Sequence, residues 1–258
     1  MSFLVIDVGN TRLKWALYEH AAFGARQIAY GAIVHEEIDD LAQETWGKFI
    51  HAGNRPTAML GCIVAGEAVK RRVEEQLVAA WQLPANWMLP VAQECGLTNG
   101  YDSPSRLGAD RWAAMIGARQ HYPKVPIVLA IVGTAVTVEA ITPYGKFMGG
   151  MILPGFGLML EALENGTAGL RVYPGDVLDF PKNTSDALMT GGADAIAGAV
   201  ERMYMRLAKH CGLEPVLVVT GGAAPKLIPS LQIANILQEQ LIFEGLLTIA
   251  SNSSAAQP

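Results

Sequence analysis

Apolar and polar positions change their period several times along the chain. FLVIDVG (3–9) and KWALYEH (14–20) are apolar runs joined by a polar turn, which predicts two neighbouring strands. Over 36–49, Ile38, Leu41, Thr45 and Phe49 recur at helical spacing. TAMLGCIVAG (57–66) predicts a core strand, and 67–81 a helix with Val69, Val73 and Leu77 on one face. RWAAMIGARQ (111–120) predicts a short helix, VPIVLAIVG (125–133) a buried strand, and TVEAITPYGKFMGG a hairpin turning at Pro143 to Gly145. From Asp186 a long helix carries Leu188, Gly192, Ile196, Val200, Met203 and Leu207 in one stripe and stops before Gly212. VLVVTGG (216–222) is one more strand-to-turn unit, and the tail NSSAAQP is expected to be disordered. Strands that alternate with helices predict an α/β fold with parallel pairing.

The pattern also echoes itself. LVIDVGNT and VLAIVGTA align so that Asp7-Val8-Gly9-Asn10-Thr11 falls on Ile131-Val132-Gly133-Thr134-Ala135. Each copy opens one half of the chain and leads into a second strand, so two similar lobes are predicted, 1–117 and 118–258.

Bulk properties narrow the setting. A chain of 258 residues can bury a sizeable core. Its net charge of −5 argues against a nucleic-acid binder that relies on general phosphate attraction. The apolar runs are interrupted by Pro84 and Pro90 or fall short of the roughly 20 residues a membrane helix needs. Asp7 breaks the first of them, which speaks against a leader peptide. Cys62, Cys95 and Cys211 form no CxxC pair and read as reduced thiols packing as small hydrophobes, the pattern of a cytoplasmic protein. His20, His35, His51, His121 and His210 show no metal-ligand spacing and receive no role.

The chemistry concentrates in short polar stretches. A strand–glycine turn directs backbone N–H groups outward as an anion-binding nest, and Gly9 lets the chain approach the anion closely. Asn10 and Thr11 add donors, while Arg12 and Lys14 add positive charge. Asp7 is suited to holding Mg²⁺, usually through water. Together these are what phosphoryl transfer requires, although the same residues also suit a plain hairpin with solvated charges. The VGTAVT copy favours the phosphate reading, since two glycine turns could clamp a polyphosphate. Neither GxxxxGK[ST] nor GxGxxG occurs, which excludes a P-loop or standard Rossmann site. In LGADRW (107–112), Asp110 opens a helix, where it can accept a proton from a substrate hydroxyl, N-cap the helix, or do both. Arg111 suits a substrate carboxylate or a surface ion pair. In NTSDA (183–187), Thr184 or Ser185 is the simplest helix cap. Tyr101 could be a hydrogen-bonding wall or an ordinary half-buried aromatic, and VTGG could embrace a flat ring or merely turn the chain.

DVGNTRLK, YDSPSRLGADR, VGTAVT, GGMILPG, NTSDA and VTGG occur in the order found in type III pantothenate kinases, and the similarity runs from residue 4 to about 247. The resemblance implies two duplicated ribonuclease-H-like lobes of the actin-like ATPase kind, with mixed sheets flanked by helices. It implies ATP-dependent phosphorylation of pantothenate with Mg²⁺ and a monovalent cation, K⁺ or NH₄⁺, in a homodimer whose pocket is completed across the interface. Carried over by position, Asp7 resembles the Mg²⁺-organising carboxylate, and Gly9, Asn10, Thr11, Arg12 and Lys14 the first phosphate loop. Gly133 and Thr134 resemble the second loop and Asp110 the general base. Tyr101, Gly108, Ala109, Asp110, Arg111 and Thr184 resemble the pantothenate contacts. Ile131 stands where the family carries an Asp linked to the monovalent cation, so no residue is assigned to that ion; Glu139 is too far along the strand to be taken as its replacement. Two alternatives are a non-catalytic regulatory relative and a kinase of another small hydroxy or carboxy substrate.

Overall fold

The computed structural model describes residues 2–50, 54–167, 173 and 175–255; His51 lies outside them. β1 (Ser2–Val8), β2 (Arg12–Tyr18) and β3 (Gln27–Val34) form a meander. A 3₁₀ stretch (His35–Asp40) and a π stretch (Leu41–Trp46) lead into the single turn α1 (Gly47–Ile50). β4 (Pro56–Ile63), α2 (Glu67–Trp81), the short β5 (Gln93–Glu94) and β6 (Leu97–Thr98), and α3 (Ala109–His121) follow. Next come β7 (Ile127–Val132), β8 (Ala135–Ile141), β9 (Phe147–Pro154), α4 (Phe156–Gly166) and α5 (Thr184–Cys211). β10 (Val216–Thr220), the single turn α6 (Ala224–Leu227), β11 (Asn235–Leu237) and α7 (Leu241–Ala255) end the chain.

The chain divides into two compact units, one of residues 1–97, 101–120 and 240–258 and the other of 98–100 and 121–239. The first holds a sheet in the order β3-β2-β1-β4, with β1 antiparallel to β2 and parallel to β4. The second holds β11-β10-β7-β8-β9, with β7 antiparallel to β8 and parallel to β10. The order β9-β8-β7-β10 repeats β3-β2-β1-β4, and β11 is added at one edge. The echo in the sequence is therefore an echo of topology. The division differs from 1–117 and 118–258 mainly at the end: α7 packs on β1 and β4. Its buried Leu246 and Leu247 need an apolar sheet face, and local sequence does not say which sheet supplies it.

In the first unit, alternation along β1 sends Leu4, Ile6 and Val8 into a core with Leu13, Trp15, Leu17 and Leu77. Trp46 joins that core, edge-on to Trp15 at 6.2 Å between ring centroids and stacked on Trp81 at 4.8 Å. The other face of β1 carries Phe3, Val5 and Asp7. On that side α3 and α7 approach closely: a Cβ on Gly245 would lie 1.9 Å from the Ala113 carbonyl oxygen, so only glycine fits. In the second unit Val128, Ala130, Val132, Val136 and Val138 pack with Ile196 and Val200 of α5.

Three local expectations need correction. The stretch 36–49 is not one α-helix. Its buried residues are Ile38, Leu41 and Trp46, and steps of three and then five suit 3₁₀ and π winding, which brings all three inward. The α5 cap is Asn183, whose side chain accepts from the Asp186 N–H at 3.0 Å, and Thr184 is the first helical residue. The tail is helical to Ala255. Asn252 Nδ2 donates to Cys95 Sγ at 3.0 Å and Ser253 Oγ to the Ile249 carbonyl at 3.0 Å; residues 256–258 lie outside the described range. The hairpin turn at 143–145 closes as expected, with the Gly145 N–H donating to Thr142 O at 3.0 Å.

Candidate active site

Asp7 sits near the end of β1, on the face opposite the tryptophan core, and is only 7% exposed. The sheet register sets Lys14 of β2 on one side of it and Cys62 of β4 on the other. The Cys62 thiol donates to Asp7 Oδ1 at 3.4 Å. Burial pushes the Asp7 carboxyl up from its ordinary 3.8 to about 6, opposed by the Lys14 ammonium and reinforced by the negative charge of Asp110. Two carboxylates thus face one small region.

Beyond Asp7 the chain turns through Gly9, whose N–H donates to the Arg12 carbonyl at 3.0 Å. Asn10, Thr11 and Arg12 are exposed on this bend and Lys14 is half-buried. The bend is pinned from a second side: His35 Nε2 lies 3.0 Å from the Gly9 carbonyl oxygen.

Asp110 lies in the first turn of α3 rather than at its cap. Its Oδ1 accepts from the Arg111 N–H at 2.8 Å, which leaves Oδ2 for another partner. Burial raises its pKa, against the lowering effect of that amide and of the Arg111 charge. Gly108 makes room for it, since a Cβ there would stand 2.7 Å from Asp110 Oδ1. Arg111 is 6% exposed, and its Nη1 donates to the Tyr101 hydroxyl at 2.8 Å with the guanidinium carbon 5.5 Å from the ring centroid. Ala109 is buried beside them. Lower on α3, Trp112 Nε1 donates to Glu94 at 3.0 Å and so fixes the helix against the β5–β6 ribbon.

The first unit therefore assembles Asp7, Lys14, Tyr101, Gly108, Asp110 and Arg111. Gly133, Thr134 and Thr184 belong to the second unit. There the Gly133 N–H donates to the Ala135 carbonyl at 3.0 Å, and the Gly155 N–H to Thr134 O at 2.9 Å. This ties the end of GGMILPG to the glycine bend. VTGG is tied to the same strand end through the Ala223 N–H and the Val132 carbonyl, 3.0 Å apart. Thr184 is exposed at the start of α5. Ile131 pairs with Thr137, and Glu139, fully buried, pairs with Leu129 two residues further from the bend. Among the described residues no cluster of three or more His, Cys, Asp or Glu suits a metal ion.

Two contacts to the site escaped sequence reasoning. Cys62 was read only as a small hydrophobe and His35 as having no role; both touch the strand–turn segment 7–9 across more than 25 positions of sequence. Cross-strand register is the only signal that could have found Cys62.

A glycine bend at the end of each of two sheets with the same strand order is the duplicated, actin-like fold. Solved structures share this fold: a conserved Campylobacter jejuni protein assigned to the Baf family of transcriptional activators (TM-score 0.59, 20% identity, covering 98% of this chain and 99% of that one). Another is the activator of 2-hydroxyisocaproyl-CoA dehydratase from Clostridium difficile with bound ADPNP (TM-score 0.54, 11% identity, covering 100% and 97%). The profile of type III pantothenate kinases matches residues 3–206. Type III pantothenate kinases from Polaromonas sp. and Acidovorax ebreus are each 56% identical to it, over 99% and 100% of this chain respectively and the whole of theirs. The chain belongs to the type III pantothenate kinase family.

Proposed function

We propose that the chain transfers the terminal phosphoryl group of ATP to the terminal hydroxyl of pantothenate. The product is 4'-phosphopantothenate, and the reaction opens coenzyme A biosynthesis. Beyond family membership, the observation that carries this reading is the convergence of Asp7 and Asp110 on one face of the first sheet, with the Arg111–Tyr101 pair beside Asp110.

The bend from Gly9 to Lys14 binds phosphate oxygens through backbone N–H groups and two cations, and Gly133 with Thr134 binds others. Asp110 holds the acceptor hydroxyl and takes its proton. A carboxylate suffices for this because the transition state is loose and the nucleophile loses its proton late. Positioning of the two reactants supplies much of the rate. Arg111, steadied by Tyr101, pairs with the pantothenate carboxylate. Gly108, Ala109 and Thr184 complete the pantothenate contacts.

The residues fit a divalent cation: two buried carboxylates repel each other, and burial raises the proton affinity of both. Asp7 would hold Mg²⁺ through water, and the ion would neutralise phosphate charge. The residues do not fit a carboxylate-held monovalent cation. Ile131 offers no oxygen, and no step is assigned to K⁺ or NH₄⁺.

The assembly is a homodimer in this reading. An apolar groove of about 370 Å³ between α4 and α5, lined by Phe156, Met159, Leu160, Leu163, Leu188 and Met189, supports a protein contact there. Light scattering should give twice 27.6 kDa, and a monomer at working concentration rejects it. In this reading the reaction runs in the cytoplasm, a compartment that keeps thiols such as Cys62, Cys95 and Cys211 reduced.

The deciding experiment mixes purified protein, ATP, Mg²⁺ and pantothenate and looks for phosphopantothenate by mass spectrometry. Product that requires all components is expected. Folded protein that makes none overturns the proposal.

A further inference from the structure

We propose that His35 is a positioning residue for nucleotide binding: its ring N–H pins the Gly9 carbonyl and so aims the next amide of the first glycine bend at the phosphates. This rests on reading the segment from Gly9 to Lys14 as a phosphate loop.

The geometry carries the argument. His35 follows the last residue of β3, Val34, which pairs with Arg12 at the far side of the bend. The Val34 N–H in turn donates to Glu37 Oε2 at 3.3 Å, which fixes the start of the 3₁₀ stretch that bears His35. His35 Nε2 then stands 3.0 Å from the Gly9 carbonyl oxygen. A carbonyl oxygen only accepts, so Nε2 carries the proton in this contact.

Gly9 has the widest choice of backbone conformation of any residue type, and its peptide with Asn10 must be held from outside. A trans peptide is planar, with its C=O and N–H pointing in opposite directions. Fixing the Gly9 carbonyl on the imidazole therefore fixes the Asn10 N–H toward the side away from His35. The Gly9 N–H is already tied to the Arg12 carbonyl. Both peptide groups flanking Gly9 are thus set before any ligand arrives. Without His35 the Gly9–Asn10 peptide can rotate and present a carbonyl oxygen to an anion, which repels it.

The test compares His35→Ala, His35→Phe and His35→Gln with the wild type. Affinity for a non-hydrolysable ATP analogue is measured by calorimetry without pantothenate, followed by steady-state kinetics. Loss of the donor in His35→Ala or His35→Phe is expected to weaken analogue binding and raise KM for ATP by about tenfold. KM for pantothenate should not move. Gln places an amide N–H near the position of Nε2 and should restore binding to within about twofold. Wild-type affinity in the Phe variant, or a Gln variant as weak as Phe with both folded by circular dichroism, overturns the inference. If Ala fails to fold, the contrast between Phe and Gln still decides. A wild type that binds the analogue in a His35-dependent way but makes no phosphopantothenate would sink the functional proposal and leave this one standing. The reverse result would do the opposite.

Discussion

The two glycine bends open sheets of the same strand order, yet they are built differently. Four residues, 9–12, lie between the paired Val8 and Leu13, and three, 133–135, between the paired Val132 and Val136. One step back along the strands, the first bend has Asp7 across from Lys14 and the second has Ile131 across from Thr137. The first carries charge and is anchored by side chains, the Cys62 thiol and the His35 imidazole. Both share a backbone anchor at the strand end, Val64 N–H to Val8 O in the first and Ala223 N–H to Val132 O in the second, each 3.0 Å. The second bend has no charged side chain and gains a further backbone bond from Gly155. The Thr137 hydroxyl there is buried and has no hydrogen-bond partner among the described residues. Positions facing each core stay apolar in both copies, because a polar group there would lose its water without compensation. On the other face Asp7 is buried as well, and its carboxylate is kept there at the cost that its raised proton affinity records. There the copies diverged, to Asp7 and Lys14 at the first bend and to Ile131 and Thr137 at the second.

The comparison is broken most directly at its charged end. Asp110→Asn is expected to lower kcat by about 10²–10⁴-fold, with affinity for an ATP analogue close to wild type. Near-normal turnover would remove Asp110 from the chemistry.

A second test uses the cost of burying Asp7. Its carboxyl binds a proton more tightly in the folded protein (about 6) than in the unfolded chain (3.8). The stability this supplies is complete below about pH 4 and is lost as pH rises through about 6. Asp7→Asn should therefore be more stable than the ligand-free wild type above pH 6, by roughly 1–3 kcal/mol, while losing activity. The gap should close below about pH 4. Denaturation at pH 4, 6 and 8 reads it, and a constant gap would show that Asp7 carries no burial cost.

The smallest effect is expected at the neutral end. Exchanging K⁺ for Na⁺ at constant ionic strength should leave wild-type turnover unchanged, and Ile131→Asp should make it responsive. Strong K⁺ activation of the wild type would mean that the second bend holds a cation without a carboxylate.

Much of this arrangement was legible beforehand because it depends on local period. Strands such as β1 and β7 announce themselves as apolar runs, α2 starts and stops where its pattern does, and the duplicated glycine turns survive as an echo. Asp110 was legible as the residue opening a helix, though its amide partner was not. The stretch 36–49 misled because its inward positions step by three and then five, which a single helical period averages away.

The amino-acid order alone determined the strands, the paired bends and the residue types available for phosphate chemistry, because these follow from neighbours a few positions apart. Only tertiary structure decided that the last helix returns to the first sheet, that Cys62 and His35 reach the loop, and that Asp7 is buried with Asp110 near it. Those facts depend on contacts between distant segments, where strand register and burial set side-chain partners and proton affinities, and neither quantity is written in any short stretch of sequence.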